Sequence, residues 1–164
     1  MSESVWYIGD EKQPLSSVDA VTMVFAVLTE VTIIHQQSTA EFNKSQDNEL
    51  HLSHFSLLNR LVRFGDPKTP QSLADEMGVT KATMTNSLAK MSERGLIKVT
   101  ENPTDKRSKL VAITVKGRKV RDKAIKRVAP NMADYAQSFD KDDLVELFRL
   151  LRRFHASMSL DTRS

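Results

Sequence analysis

The chain has no cysteine among its 164 residues. That excludes a disulfide framework, a thiolate metal site and a cysteine redox switch. Glycine and proline are few, five of each, and with 40% hydrophobic and 27% charged residues the composition is that of an ordinary globular protein. No run approaches the roughly 18 apolar residues of a membrane span. Met1 to Gln13 carries acidic residues and no apolar core, so a signal peptide is not expected there, and a cytoplasmic location is the simplest expectation. Phosphate-binding glycine loops, nucleophile motifs and metal-hydrolase motifs are all missing. With no convergent catalytic groups, neither an enzyme nor a resident cofactor is expected.

The charge that is present is unevenly placed. The whole chain carries a formal +3, yet Thr80 to Arg127 holds fourteen Lys or Arg against four Asp or Glu, about +10, which leaves about −7 elsewhere. Such a patch is a candidate footprint for a polyanion, or else a solvated basic face with no partner.

Periodicity predicts a mainly α fold with one small β-hairpin. Residues 1–16 read as an extended arm in which Trp6, Tyr7 and Ile8 are the sizeable apolar group and Pro14 ends it. Val18 to Phe42 reads as a long helix with Ser17 as N-cap. Its β-branched content leaves a strand as rival, but length and the absence of Gly or Pro favour helix. Asn43 to Leu50 is a polar connection. Leu52 to Phe64 forms a second helix, with Ser53 able to cap it, and Gly65-Asp66-Pro67 stops it.

Thr69 to Gly117 carries the strongest signal. Thr69 and Pro70 open a short helix, Pro70 to Met77. Gly78-Val79-Thr80 turns, and a second helix runs from Lys81 to Arg94 with Met84, Leu88 and Met91 on one face, closed by Gly95. Strands Leu96 to Glu101 and Leu110 to Val115 follow, with a charged tip from Asn102 to Lys109. A helix-turn-helix beside a basic hairpin is a shape for holding duplex DNA.

Beyond it, Lys116 to Ala136 reads as a fifth helix that Pro130 should kink or interrupt. A sixth, capped by Ser138 or Asp140, reaches about Ser157 with Leu144, Leu147, Phe148, Leu151 and Phe154 as its stripe. Apolar faces of that size on the outer helices are usually buried against a partner, and a two-fold homodimer is the common solution; a monomer whose helices fold back is the alternative. The organisation expected is an arm (1–16), a dimerisation helix and connection (17–50), a DNA-binding lobe (51–117) and C-terminal dimerisation helices (118–164), in one compact domain.

Residue chemistry suggests roles at the lobe. Capped by Thr80, the second helix of the motif would enter the major groove with Lys81, Ala82, Thr83, Thr85 and Asn86. Asn can make paired bonds to an adenine edge, Thr can donate or accept, and an Ala or Thr methyl can touch a thymine methyl. Lys81 and Lys90 read as phosphate contacts, and Ser72 as a candidate phosphate donor. At the tip, Lys106, Arg107, Ser108 and Lys109 suit a phosphate track, with an Arg able to enter the minor groove. Asp105 would repel phosphate, so it is expected to hold a neighbouring Arg in place. Each of these residues taken singly also fits a solvated surface.

From about Ser53 to Gly117 the chain resembles the winged helix-turn-helix of the MarR family of bacterial regulators. The segments that carry the resemblance are Leu73-Ala74-Asp75-Glu76-Met77-Gly78-Val79-Thr80, Leu88 to Ile97, Asn102-Pro103-Thr104-Asp105-Lys106-Arg107-Ser108, and Ile113-Thr114-Val115-Lys116-Gly117. The resemblance implies a homodimer built by the first, fifth and sixth helices. It implies palindromic operators, Arg107 in the minor groove with Asp105 orienting it, and repression more often than activation. It also implies relief by a small aromatic or anionic effector. By its place on the first helix His35 is a candidate contact for one, and a core or interface histidine is the plainer reading. Where the family often carries Arg, this chain has Val99; Lys98 or Lys106 are the candidates to supply that charge. A basic helical module that binds an acidic protein, without sequence-specific DNA recognition, is the alternative reading. His51 and His54, with Glu49 near, are candidate metal ligands; polar surface or dimer-edge histidines are the plainer reading.

Overall fold

The structure is a computed structural model and describes residues 5–8, 11–46, 50–63, 65 and 67–160. The chain divides into two compact units, residues 1–52 and 53–164.

In the first unit the arm is a hairpin rather than a single extended segment. β1 (Val5–Ile8) pairs antiparallel with β2 (Glu11–Pro14), Val5 opposite Pro14 and Ile8 opposite Glu11. A 3-10 turn, Leu15–Ser17, follows, and α1 spans Ala20–Ser45 as a helix. Its N-cap is Asp19, whose Oδ1 accepts from the amides of Val21 and Thr22 at 2.9 and 3.1 Å. Ser17 instead donates to the Pro14 carbonyl at 2.8 Å, one turn too early to cap the helix. Ala26 and Phe42 are buried, while Val21, Phe25 and Ile34 are exposed. One 18-residue window of α1 has a mean hydropathy of 1.2 with 6% of it buried, long and apolar enough to cross a bilayer on those measures alone. The apolar surface is thus available to cover something.

The second unit builds its core from α2 (Leu52–Arg63), α3 (Pro70–Met77), α4 (Lys81–Glu93), β3 (Ile97–Asn102), β4 (Asp105–Ile113) and the start of α5 (Val115–Ala136). Leu57, Leu58, Leu61, Leu73, Met91, Leu96 and Val111 are fully buried. β3 and β4 are antiparallel with Ile97 opposite Ile113 and Glu101 opposite Lys109. Lys68 adds a one-residue third strand on Val111. α2 starts at Leu52, so Ser53 lies inside its first turn instead of capping it; the Leu52 amide donates to Asn43 Oδ1 at 3.0 Å.

Thr114 caps α5, accepting from the Gly117 amide at 3.0 Å while its hydroxyl donates to the Gly95 carbonyl at 2.7 Å. Gly117 sits against the Leu96 carbonyl, so close that a Cβ there would lie 2.1 Å from that oxygen. α5 runs through Pro130 without interruption. α6 (Lys141–Leu160) follows, with Leu147, Phe148 and Met158 about half exposed and no described residue buried.

Candidate nucleic-acid interface

α3 and α4 owe their mutual placement to side-chain caps and one left-handed glycine. The Thr69 hydroxyl accepts from the Ser72 amide at 3.1 Å, and Pro70 occupies the first turn where its missing N–H costs nothing. Gly78 takes φ 63°, and the Val79 amide returns to the Ala74 carbonyl at 3.0 Å. Thr80 then caps α4, accepting from the Thr83 amide at 3.1 Å. Met84, Leu88 and Met91 bury one face of α4, and Gly95, at φ 69°, ends it. Lys81, Ala82, Thr83, Thr85, Asn86, Ala89 and Lys90 are left exposed on the rest of the surface.

The hairpin differs from the sequence reading in one way that matters. Strand pairing continues to Asn102–Asp105, so the turn is only Pro103-Thr104, and Asp105 to Lys109 lie in β4 instead of a long loop. Polar composition suggested a loop, but side chains of an exposed hairpin need not be apolar for the ladder to form. Asn102 organises this end. Its Oδ1 accepts from the Thr104 amide and hydroxyl at 3.1 and 2.8 Å, and its Nδ2 donates to Ser108 Oγ at 2.9 Å. Ser108 Oγ donates onward to the Asp105 carbonyl at 3.1 Å, so its hydrogen is committed within the tip.

Asp105 meets Arg107 through the backbone: Oδ1 accepts from the Arg107 amide at 3.0 Å. Among the described residues the Arg107 guanidinium has no partner, and neither have the ammonium groups of Lys81, Lys90, Lys106 and Lys109. These cations are thus available to a polyanion. An open cleft of about 520 Å³ lies between the start of α3, the start of α4 and the hairpin, and Lys81, Thr85, Asp105, Arg107, Ser108 and Lys109 line it together with Thr69, Pro70, Gln71 and Asn102.

Ser72 is placed differently from the cleft residues. Its hydroxyl donates to Glu76 Oε1 at 2.9 Å. The same carboxylate takes Lys68 Nζ at 2.6 Å and Arg60 Nε on its other oxygen. Partial burial works to raise the Glu76 pKa, but the hydrogen bonds from Lys68, Arg60 and Ser72 prevail and hold it down at about 2. This hub ties α2, α3 and the Lys68 strand together. Sequence reasoning missed it: Ser72 and Glu76 are one helical turn apart and visible as a pair, but Arg60 is sixteen residues away.

Val99 stands opposite Val111, half-buried on the strand pair. Lys98, one residue earlier, is exposed, as is Lys106. His35 and His51 are exposed and His54 is half-buried; Glu49 lies outside the described residues, among which no cluster of three metal-ligating side chains occurs.

A helix-turn-helix flanked by a basic two-stranded hairpin defines a winged helix-turn-helix. Residues 49–108 match the sequence model of the MarR family. An uncharacterized HTH-type transcriptional regulator of Bacillus subtilis, YdgG, is 27% identical over 81% of this chain and 88% of its own length. Among solved structures, the transcriptional regulator BldR of Sulfolobus solfataricus superposes with a TM-score of 0.71 at 24% identity, over 83% of this chain and 99% of that one. A mutant MarR of E. coli complexed with operator DNA superposes at 0.68 and 19% identity, over 84% and 99%. Residues 49–108 are thus similar to the lobe of MarR-family regulators, and the solved structures share the winged helix-turn-helix fold.

Proposed function

We propose that the protein is a cytoplasmic repressor that binds palindromic operators as a homodimer and is released by a small aromatic or anionic effector. The observation that carries the DNA-binding part of this reading is the cleft and its rim. Lys81, Arg107 and Lys109 face one concave surface between α4 and the wing, with no internal partner among the described residues. α4 would lie in the major groove. Lys81, Lys90, Lys106 and Lys109 would meet phosphates, and Arg107 the minor groove beside the wing. Thr80 and Thr83 stand at the groove end of α4. Ser72, bonded to Glu76, would contribute by fixing α3 and not as a free phosphate donor.

The homodimer rests on α6. Leu144, Leu147, Phe148, Leu151 and Met158 recur at helical spacing and are all more than a third exposed. An apolar stripe of that length calls for a partner, and a two-fold copy of itself would meet it and set two reading helices at a fixed separation.

The test is duplex binding against salt. Fluorescence anisotropy with random-sequence and genome-selected duplexes should give affinity that falls steeply between 50 and 200 mM salt, with selected fragments containing two half-sites. Absence of salt-dependent binding to any duplex at low salt would overturn the reading. Adding a candidate aromatic anion to the selected complex tests release directly.

A further inference from the structure

The exposed side chains of α4 are not equivalent as readers of bases. Met84, Leu88 and Met91 fix which face points inward. At about 100° per residue, Asn86 projects roughly 140–160° away from each of them, so it lies on the outward face of the helix, in its first half. One turn before it on the same face is Ala82, and three residues after it is Ala89, both exposed. Asn86 therefore has two methyl groups among its same-face neighbours, and Thr83 and the long Lys90 side chain complete the set.

The neighbouring threonines are committed to the helix itself. The Thr83 hydroxyl is hydrogen-bonded to that of Thr80 at 2.9 Å, and the Thr85 hydroxyl donates to the Lys81 carbonyl at 2.8 Å. What they keep facing outward is chiefly methyl surface. Asn86 has no hydrogen-bond partner among the described residues, so its amide offers a donor and an acceptor together.

Resting on the DNA-binding reading above, we propose that Asn86 is the specificity-determining residue of this regulator: it makes paired hydrogen bonds to N6 and N7 of an adenine in the major groove of each half-site. Ala82, Ala89 and the Thr85 methyl make the contacts on either side, which favour thymine methyls. The half-site centre is accordingly an A·T pair whose adenine is indispensable, with A·T neighbours preferred by apolar contact alone.

The experiment is selection from randomised duplexes by the wild-type protein, by Asn86→Ala and by Asn86→Asp, followed by base-analogue duplexes. Wild type should select adenine at one position of each half-site. Asn86→Ala should show no preference there while retaining salt-dependent binding. Asn86→Asp, which can only accept, should move the preference to cytosine through its N4 amine. Placing 7-deazaadenine at that position, which removes N7, should weaken wild type roughly ten-fold and leave Asn86→Ala unchanged. Retention of the same adenine preference by Asn86→Ala, or indifference of wild type to the analogue, overturns the assignment and leaves the regulator reading standing. If none of the proteins binds any duplex in a salt-dependent way, the regulator reading fails and this inference with it.

Discussion

Lys68 and Val111 exchange both of their backbone hydrogen bonds, at 3.0 and 2.7 Å. The segment before α3 is thereby laid along the base of the wing, and the Lys68 side chain turns back to Glu76. Wing and helix-turn-helix are thus joined by one residue, through its backbone on one side and its charge on the other.

Glu76→Gln should therefore cost on the order of 1–3 kcal/mol at pH 7, because Lys68 and Arg60 lose the carboxylate they share in a partly buried setting. The pH dependence has a defined sign. The folded-state pKa of about 2 lies below the ordinary 4.5, so the folded protein keeps the carboxylate ionised where the unfolded chain protonates it. The stabilisation is whole above about pH 4.5 and is lost as pH falls toward about 2. Urea denaturation of both proteins across this range should show the difference shrinking toward acid.

Arg107→Ala and Lys109→Ala should each weaken binding to specific and random duplexes alike. Each should also reduce the slope of log affinity against log salt by about one. A gel-shift series at four salt concentrations measures both. Unchanged affinity of Arg107→Ala for every duplex would remove the wing from the interface.

Asp105 separates two roles by substitution. Asp105→Asn keeps an oxygen for the Arg107 amide and removes a negative charge from the DNA face, so it should bind DNA at least as tightly as wild type. Asp105→Ala loses the turn bond and should bind more weakly than Asp105→Asn. If the two variants bind equally well, the bond to the Arg107 amide has no part in positioning the wing.

Gly117→Ala should destabilise the protein by about 2 kcal/mol or more, since the new methyl meets backbone, the Leu96 carbonyl, instead of a flexible side-chain end. Gly78→Ala is the contrast. Nothing lies within 4 Å of its Cβ position, and the cost there is the left-handed φ of 63° alone, about 1 kcal/mol. Thermal melts of the pair should rank them in that order.

Phe148→Glu should place a charge in the α6 stripe and convert a two-chain particle to a one-chain particle in sedimentation velocity. Binding to a two-half-site duplex should fall far more than binding to a single half-site.

The helix-turn-helix was legible because its punctuation is local. Thr69-Pro70, Gly78, Thr80 and Gly95 each specify a backbone state that does not depend on distant residues, and the mainly α fold with a small hairpin followed from them. The α1 start was misread because Ser17 and Asp19 are both good caps, and only the folded chain shows that Ser17 is spent on Pro14. The wing was read too short because Asp105 to Lys109 look like loop by polarity, whereas pairing across the hairpin depends on Asn102 and Ser108 meeting six residues apart. In the same way, the sequence placed Asp105 beside Arg107 but could not tell a bond to the amide from one to the guanidinium. The Arg60–Glu76–Lys68 hub is non-local, and no spacing rule reveals it.

The join of α5 to the lobe has a mechanical meaning. Thr114 bonds to Gly95, Lys116 reaches the Arg94 carbonyl, Gly117 abuts Leu96 and Arg121 grips Asn59 through two nitrogens. These contacts all fall within the first two turns of a helix of twenty-two residues. The helix is therefore anchored to the lobe through its first two turns, and the buried Ala124 carries its packed face a little further. A twist applied at the far end arrives at the foot of α4 and the base of the wing together. Under the proposed function, α4 and the wing would then turn as one piece, and their grip on a half-site would keep its shape while its aim changed.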